Sequence, residues 1–122
     1  MNRSVALLLL TTLAASTAFA DCNYPKAPGT IPDGKTAALE EMLAANKAVK
    51  AYNADMETYL GCIKKEVDES MARQNETLSE DQKKQMAAVW QQRNNAAVDE
   101  LESVAARLNE QIRIYKAAHP SK

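Results

Sequence analysis

The chain has 122 residues, 25% of them charged, with a formal net charge of −1, one histidine and three glycines. Nucleic-acid binding needs a clustered positive face to displace counterions, and this balance offers none. Three glycines are too few for a phosphate-cradling loop, and neither G-x-x-x-x-G-K nor G-x-G-x-x-G occurs.

The first twenty residues read as a secretory leader. Arg3 gives the positive start, Val5 to Leu10 and on to Leu13 the apolar core, and Ala18-Phe19-Ala20 the cleavage site. Cleavage there makes Asp21 the first mature residue and leaves 102 of the 122 residues; losing Arg3 moves the net charge from −1 to −2. The apolar run is too short to cross ~30 Å of hydrocarbon, and no other follows. Cys22 lies close enough to the cleavage point to suggest lipid attachment, but Asp21 stands where such sites take a small uncharged residue. Two cysteines in an exported chain point to one disulfide, Cys22 to Cys62, in an oxidising compartment. Chain size and leader style point to a bacterial periplasm, with secretion as the alternative.

Residues 21–35 form a Pro-rich strap. Pro25, Pro28 and Pro32 fix φ and restrict the residues before them, which favours extension. Gly29 and the Pro32-Asp33-Gly34 turn supply the reversal. A first helix is predicted over about 36–72, capped by Thr36. Its heptad places Leu39, Asn46, Asn53, Leu60 and Val67 at a, and Met42, Val49, Met56 and Ile63 at d. A second is predicted over about 80–117. Ser79 and Gln82 form a capping box before it, and Glu80 and Asp81 suit its positive end. Its seam has Ala87, Asn94, Leu101, Leu108 and Tyr115 at a, with Trp90, Ala97, Val104 and Gln111 at d. The connection, about 73–78, is short, so the helices fold back as an antiparallel hairpin. The fold class is therefore all-α: a two-helix, coiled-coil-like hairpin with an extended strap disulfide-linked to helix 1. Residues 36–119 make the hairpin.

Lengths decide where the strap runs. Thr36 to Cys62 is about 39 Å of helix at ~1.5 Å per residue, and Cys22 to Thr36 is roughly 43 Å at the polyproline rise. The strap reaches Cys62 only if it runs nearly straight back along helix 1. Ala45, Tyr52 and Tyr59 at g, with Ala48 and Cys62 at c, make a second apolar stripe outside the seam. Tyr24, Pro25, Pro28, Ile31 and Pro32 are expected to cover Tyr52 and Tyr59. The cysteines lack the close C-x-x-C spacing of redox proteins, so their expected role is structural.

Little in the chain suggests catalysis. His119 stands alone in the tail before Pro120, too loosely placed to organise acid–base or metal chemistry. Glu66, Asp68, Glu69, Glu76, Glu80 and Asp81 gather near the hairpin tip, interleaved with Lys64, Lys65, Arg73, Lys83 and Lys84. Paired, solvated charges are the reading there. No metal, cofactor or catalytic residue is implied. Trp90, Val98, Ile112 and Ile114 exceed what a narrow helix 1 seam can cover, and are candidates for a partner or self-association surface. Alternatively the strap and tail cover them within one chain.

Leu78, Ser79 and Gln82 resemble the L-T-x-x-Q motif of periplasmic helical stress chaperones, with Ser for Thr. That family carries two such motifs and a basic concave face; this chain has one motif and no such face. The stretch Cys22–Ile63 resembles small exported proteobacterial proteins of unassigned function. It shares their C-x-Y-P start, P-D-G turn, E-M-x-A-A-x-x-A-V-K-x-Y helix and Y-L-x-C. This likeness agrees with a strap and disulfide and implies no activity. The expectation is a non-catalytic structural or protein-interaction module, the alternative a small holdase-type chaperone.

Overall fold

The computed structural model describes residues 22–120, so the leader lies outside it. Two helices, α1 (Leu39–Arg73) and α2 (Glu80–Ala118), pack against each other as a hairpin. The strap before α1 has no regular secondary structure, and a disulfide joins Cys22 to Cys62. No helix among the described residues is long and apolar enough to cross a membrane.

Local chemistry explains the ends. Asp33 organises the entry to α1: its carboxylate accepts from Lys35 N–H at 2.9 Å, and its carbonyl from Thr36 and Ala37 N–H at 3.1 and 2.8 Å. This turn engages Thr36, so the cap falls at Ala38 instead of at the predicted Thr36. Ala38 has no side-chain oxygen, so only half a capping box exists: Glu41 Oε2 accepts from Ala38 N–H at 2.7 Å. The start of α2 follows the sequence expectation. Ser79 Oγ accepts from Gln82 N–H at 3.2 Å, and Gln82 Oε1 accepts from Ser79 N–H at 2.8 Å.

The packed face of α1 differs from the predicted seam. Tyr52 and Met56 are 3% and 0% exposed, Met42 and Ile63 5% and 3%, while Leu39 at a is 55% exposed. Asn53, also assigned to a, faces solvent and donates to Glu57. Burial therefore follows d and g, with a on the outer shoulder. The cause is the strap, which adds a third wall beside g and draws Tyr52 inward. On α2 the core residues are Ala97, Val104 and Leu108, as the seam predicts, but Ala87 is exposed.

Buried residues run only from Gly34 to Ile63 and from Ala97 to Leu108; between 64 and 96 none is buried. The core ends at the level where the strap ends. Two helices alone bury little apolar surface. The third wall makes the difference, and the disulfide marks its limit.

The strap is wedged at its other end. Gly34 N–H donates to Gln111 Oε1 at 2.8 Å. A Cβ at Gly34 would overlap the Gln111 carbonyl oxygen and lie 2.7 Å from Tyr115 N, so only glycine allows this approach.

Candidate functional site

The most organised polar constellation lies where strap and both helices meet. Tyr24 comes from the strap, Tyr52 from α1 and Glu100 from α2. Tyr52 Oη donates to Glu100 Oε1 at 2.6 Å, and Tyr24 Oη donates to Glu100 Oε2. One carboxylate thus ties three elements together. Its hydrogen bonds from Tyr24 and Tyr52 hold the Glu100 carboxyl below the usual range. The bond to Glu100 pushes the Tyr24 hydroxyl up to about 12. Burial, reinforced by Glu100, raises Tyr52 as well. Both phenols therefore remain protonated donors at neutral pH and have no tendency to act as bases or nucleophiles.

Tyr24 also meets Tyr59 edge-on, with ring centroids 4.9 Å apart and planes at 77°. The expected strap contacts divide accordingly. Tyr24 reaches Tyr59 and Tyr52's carboxylate partner, and Ala27 packs against the buried Tyr52–Met56–Ala97–Val104 cluster. Ile31, half-buried, lines a groove of about 510 Å³ with Ala44, Ala45, Ala48 and Val49. A second groove of about 540 Å³ runs between Gly29–Ile31 and Ala106–Gln111 of α2. The strap therefore sits over the cleft between the helices, touching both, whereas the sequence reading laid it on α1 alone.

Glu100 was the residue that sequence reasoning missed. A signal for it existed. With Leu101 at a, Glu100 is at g, and in an antiparallel pair g positions face each other. Tyr52 is the g residue opposite.

The disulfide stands one level further along, with Cα atoms 5.7 Å apart. Beside it, Oε1 of Glu66 is buried with no hydrogen-bond partner among the described residues; on α2 the same holds for Nε1 of Trp90. Lys64 Nζ lies 5.9 Å from the Trp90 ring centroid, on an exposed shoulder where a cation–π contact adds little. Of the other acidic residues near the tip, Asp68, Glu69 and Glu80 form solvated pairs: Lys64–Asp68, Lys65–Glu69, Arg73–Glu69 and Lys83–Glu80.

The four candidate partner-surface residues do not form one patch. Trp90 is half-buried in the seam, and Val98 is 39% exposed at e. Ile112, also at e, lines a 220 Å³ groove with Leu39, Met42, Leu43, Asn46 and Tyr115 at the open end of the hairpin. Ile114 sits at g, on the strapped side. Leu39 and Leu43, 55% and 58% exposed, are larger apolar exposures than any of the four. Helical periodicity could not single them out: Leu39 reads as a seam residue at a, and Leu43 stands beside the seam at e. Val89, 50% exposed, shares a separate groove near the tip with Val67, Leu78 and Met86.

The hairpin thus has two unlike sides: g residues under the strap, and e residues left open. It is a disulfide-strapped α-helical hairpin whose organised polar cluster serves to hold the strap. Comparison with known protein families, with characterised proteins and with solved structures finds no match.

Proposed function

We propose that this chain is a non-catalytic helical module of the bacterial periplasm that docks an apolar helix of another protein on its unstrapped side. The observation that carries the reading is the exposure of Leu39 and Leu43 beside Ile112, opposite the face the strap covers. Three adjacent apolar side chains on a hairpin groove suit the i, i+3, i+4 anchors of a helical partner. The disulfide fits an oxidising compartment. Export by residues 1–20 is part of the proposal, and N-terminal sequencing of the cellular protein tests it by finding Asp21 first.

The docking claim is tested by placing a photo-crosslinking residue at Leu43, at Ile112 and, as a control, at the exposed strap residue Thr30 in intact cells. A discrete adduct from the first two sites and not from Thr30 supports the reading. An adduct of twice the chain mass shows a second copy on that face and refutes a separate partner. Absence of any adduct from Leu43 and Ile112 refutes it.

A holdase reading has one observation in its favour. Leu78, the first residue of the L-S-x-x-Q motif, lines the apolar tip groove with Met86 and Val89. A holdase suppresses aggregation of unrelated unfolded clients at modest stoichiometry and gives a ladder of adducts from Val89. A dedicated docking module does neither.

A further inference from the structure

The disulfide has a third neighbour. A carboxylate oxygen of Glu66 and both sulfur atoms lie within 4.8 Å of one another. Glu66 stands one turn beyond Cys62, so the two side chains share a helix face. The residue is half-buried, and its Oε1 atom is buried with no hydrogen-bond partner among the described residues. The neighbouring lysines, Lys64 and Lys65, are directed to Asp68 and Glu69. A buried carboxylate oxygen without a partner costs free energy, and a cation held at the sulfur atoms would offset that cost.

We propose that opening the Cys22–Cys62 bond converts this corner into a binding site for a thiophilic divalent cation of the Zn²⁺ class, with Cys22, Cys62 and Glu66 as ligands. A dithiol reductant supplies two electrons and two protons and itself becomes a disulfide, leaving two thiols on the protein. The cation then displaces both thiol protons to solvent and binds two thiolates and the Glu66 carboxylate. Water takes the fourth tetrahedral position. At Zn–S of ~2.3 Å and Zn–O of ~2.1 Å, tetrahedral ligand atoms stand roughly 3.4–3.8 Å apart; the two sulfur atoms, bonded in the oxidised chain, move apart by side-chain rotation once the bond opens, and the Glu66 oxygen already lies within 4.8 Å of both. Paired thiolates select this class of metal over Mg²⁺ or Ca²⁺. The consequence is that the strap keeps its anchor in the reduced chain: a coordinate tie replaces the covalent one.

The test uses the full mature chain, reduced anaerobically with a phosphine and titrated with Co²⁺ as a spectroscopic stand-in for Zn²⁺. One equivalent should produce thiolate-to-cobalt charge-transfer bands and the visible bands of tetrahedral cobalt, both abolished by one equivalent of Zn²⁺. The oxidised chain should show neither. Glu66→Gln should bind about tenfold or more weakly, with helical circular dichroism unchanged. Zn²⁺ should also slow tryptic cleavage after the exposed strap residue Lys26 in the reduced chain, towards its rate in the oxidised one. Several results overturn the proposal: no cobalt bands in the reduced chain, bands that persist when both cysteines are serine, undiminished affinity in Glu66→Gln, or cleavage at Lys26 that ignores Zn²⁺.

Discussion

Substituting Gly34 by alanine isolates the wedge that seats the strap against α2. The added Cβ would overlap the Gln111 carbonyl oxygen and stand 2.7 Å from Tyr115 N. Both are backbone atoms inside a helix of 39 residues, so neither can turn aside as a side-chain tip would. The turn must lift instead, and the 2.8 Å bond from Gly34 N–H to Gln111 stretches or breaks. Overpacking costs about 1–3 kcal/mol, and a lost hydrogen bond about 1 kcal/mol. Restricting the unfolded chain returns roughly 0.4–1 kcal/mol. The net loss is about 1–3.5 kcal/mol, or a fall in Tm of very roughly 4–25 °C for a domain near 100 residues. Thermal and urea unfolding of the disulfide-intact protein measure it. Gly29→Ala is the control, since a Cβ there meets nothing within 4 Å. A Gly34→Ala protein within about 0.5 kcal/mol of the parent would show that the strap is not seated by this contact.

Tyr52→Phe should destabilise by about 1.5–3 kcal/mol, because it removes a bond to a charged acceptor from a residue only 3% exposed. Tyr24→Phe should cost clearly less, since Tyr24 is 51% exposed and water can replace its hydroxyl; denaturant midpoints compare the two. The same cluster sets two pH limits. Glu100 is depressed in the fold, so its contribution is present above the ordinary carboxylate value of 4.5 and is lost as pH falls through its lower folded value. Tyr24 is raised, so its contribution is present below 10.0 and is lost as pH rises towards about 12. Acid and alkaline unfolding curves should be less steep in Glu100→Gln than in the parent. Replacing both cysteines by serine should cost about 4 kcal/mol in the chain-entropy picture and speed tryptic cleavage at Lys26 before α1 or α2 loses helicity. Hydrogen exchange should be fast for amides 64–96, where no residue is buried, and slow around Met56 and Val104; equal protection would refute the core assignment.

The two helices and their antiparallel arrangement were legible in the sequence because the heptads are long, the connection short and the Ser79–Gln82 box explicit. The anchoring of the strap was legible because prolines set its length and only one other cysteine exists. The g stripe of α1 reads as the bed of the strap, but that burial would leave the a positions for it was not legible. A heptad read on one helix assumes that the partner is the other helix, and here a non-helical segment supplies part of the packing. That rotates Tyr52 into the core and turns Leu39 and Asn53 outward. The cap moves from Thr36 to Ala38 for a local reason: Asp33, the middle residue of the Pro32-Asp33-Gly34 turn, draws the N–H groups of residues 35–37 back into that turn, so the helix starts after it. Glu66 looked like one more surface charge in an acidic run. Only coordinates separate it from Asp68 and Glu69, because its distinction is a neighbour 44 positions away in the chain, Cys22.

The Cys22–Cys62 bond also decides how the molecule would carry tension. A pull on its two ends enters at Cys22, crosses the sulfur bridge and continues from the middle of α1, leaving the intervening chain unloaded. With a sequence separation of 40, about 140 Å of contour is withheld from extension at ~3.5 Å per residue. The stretch that seats the strap is thereby sheltered, and any yielding under load begins in the distal turns and α2.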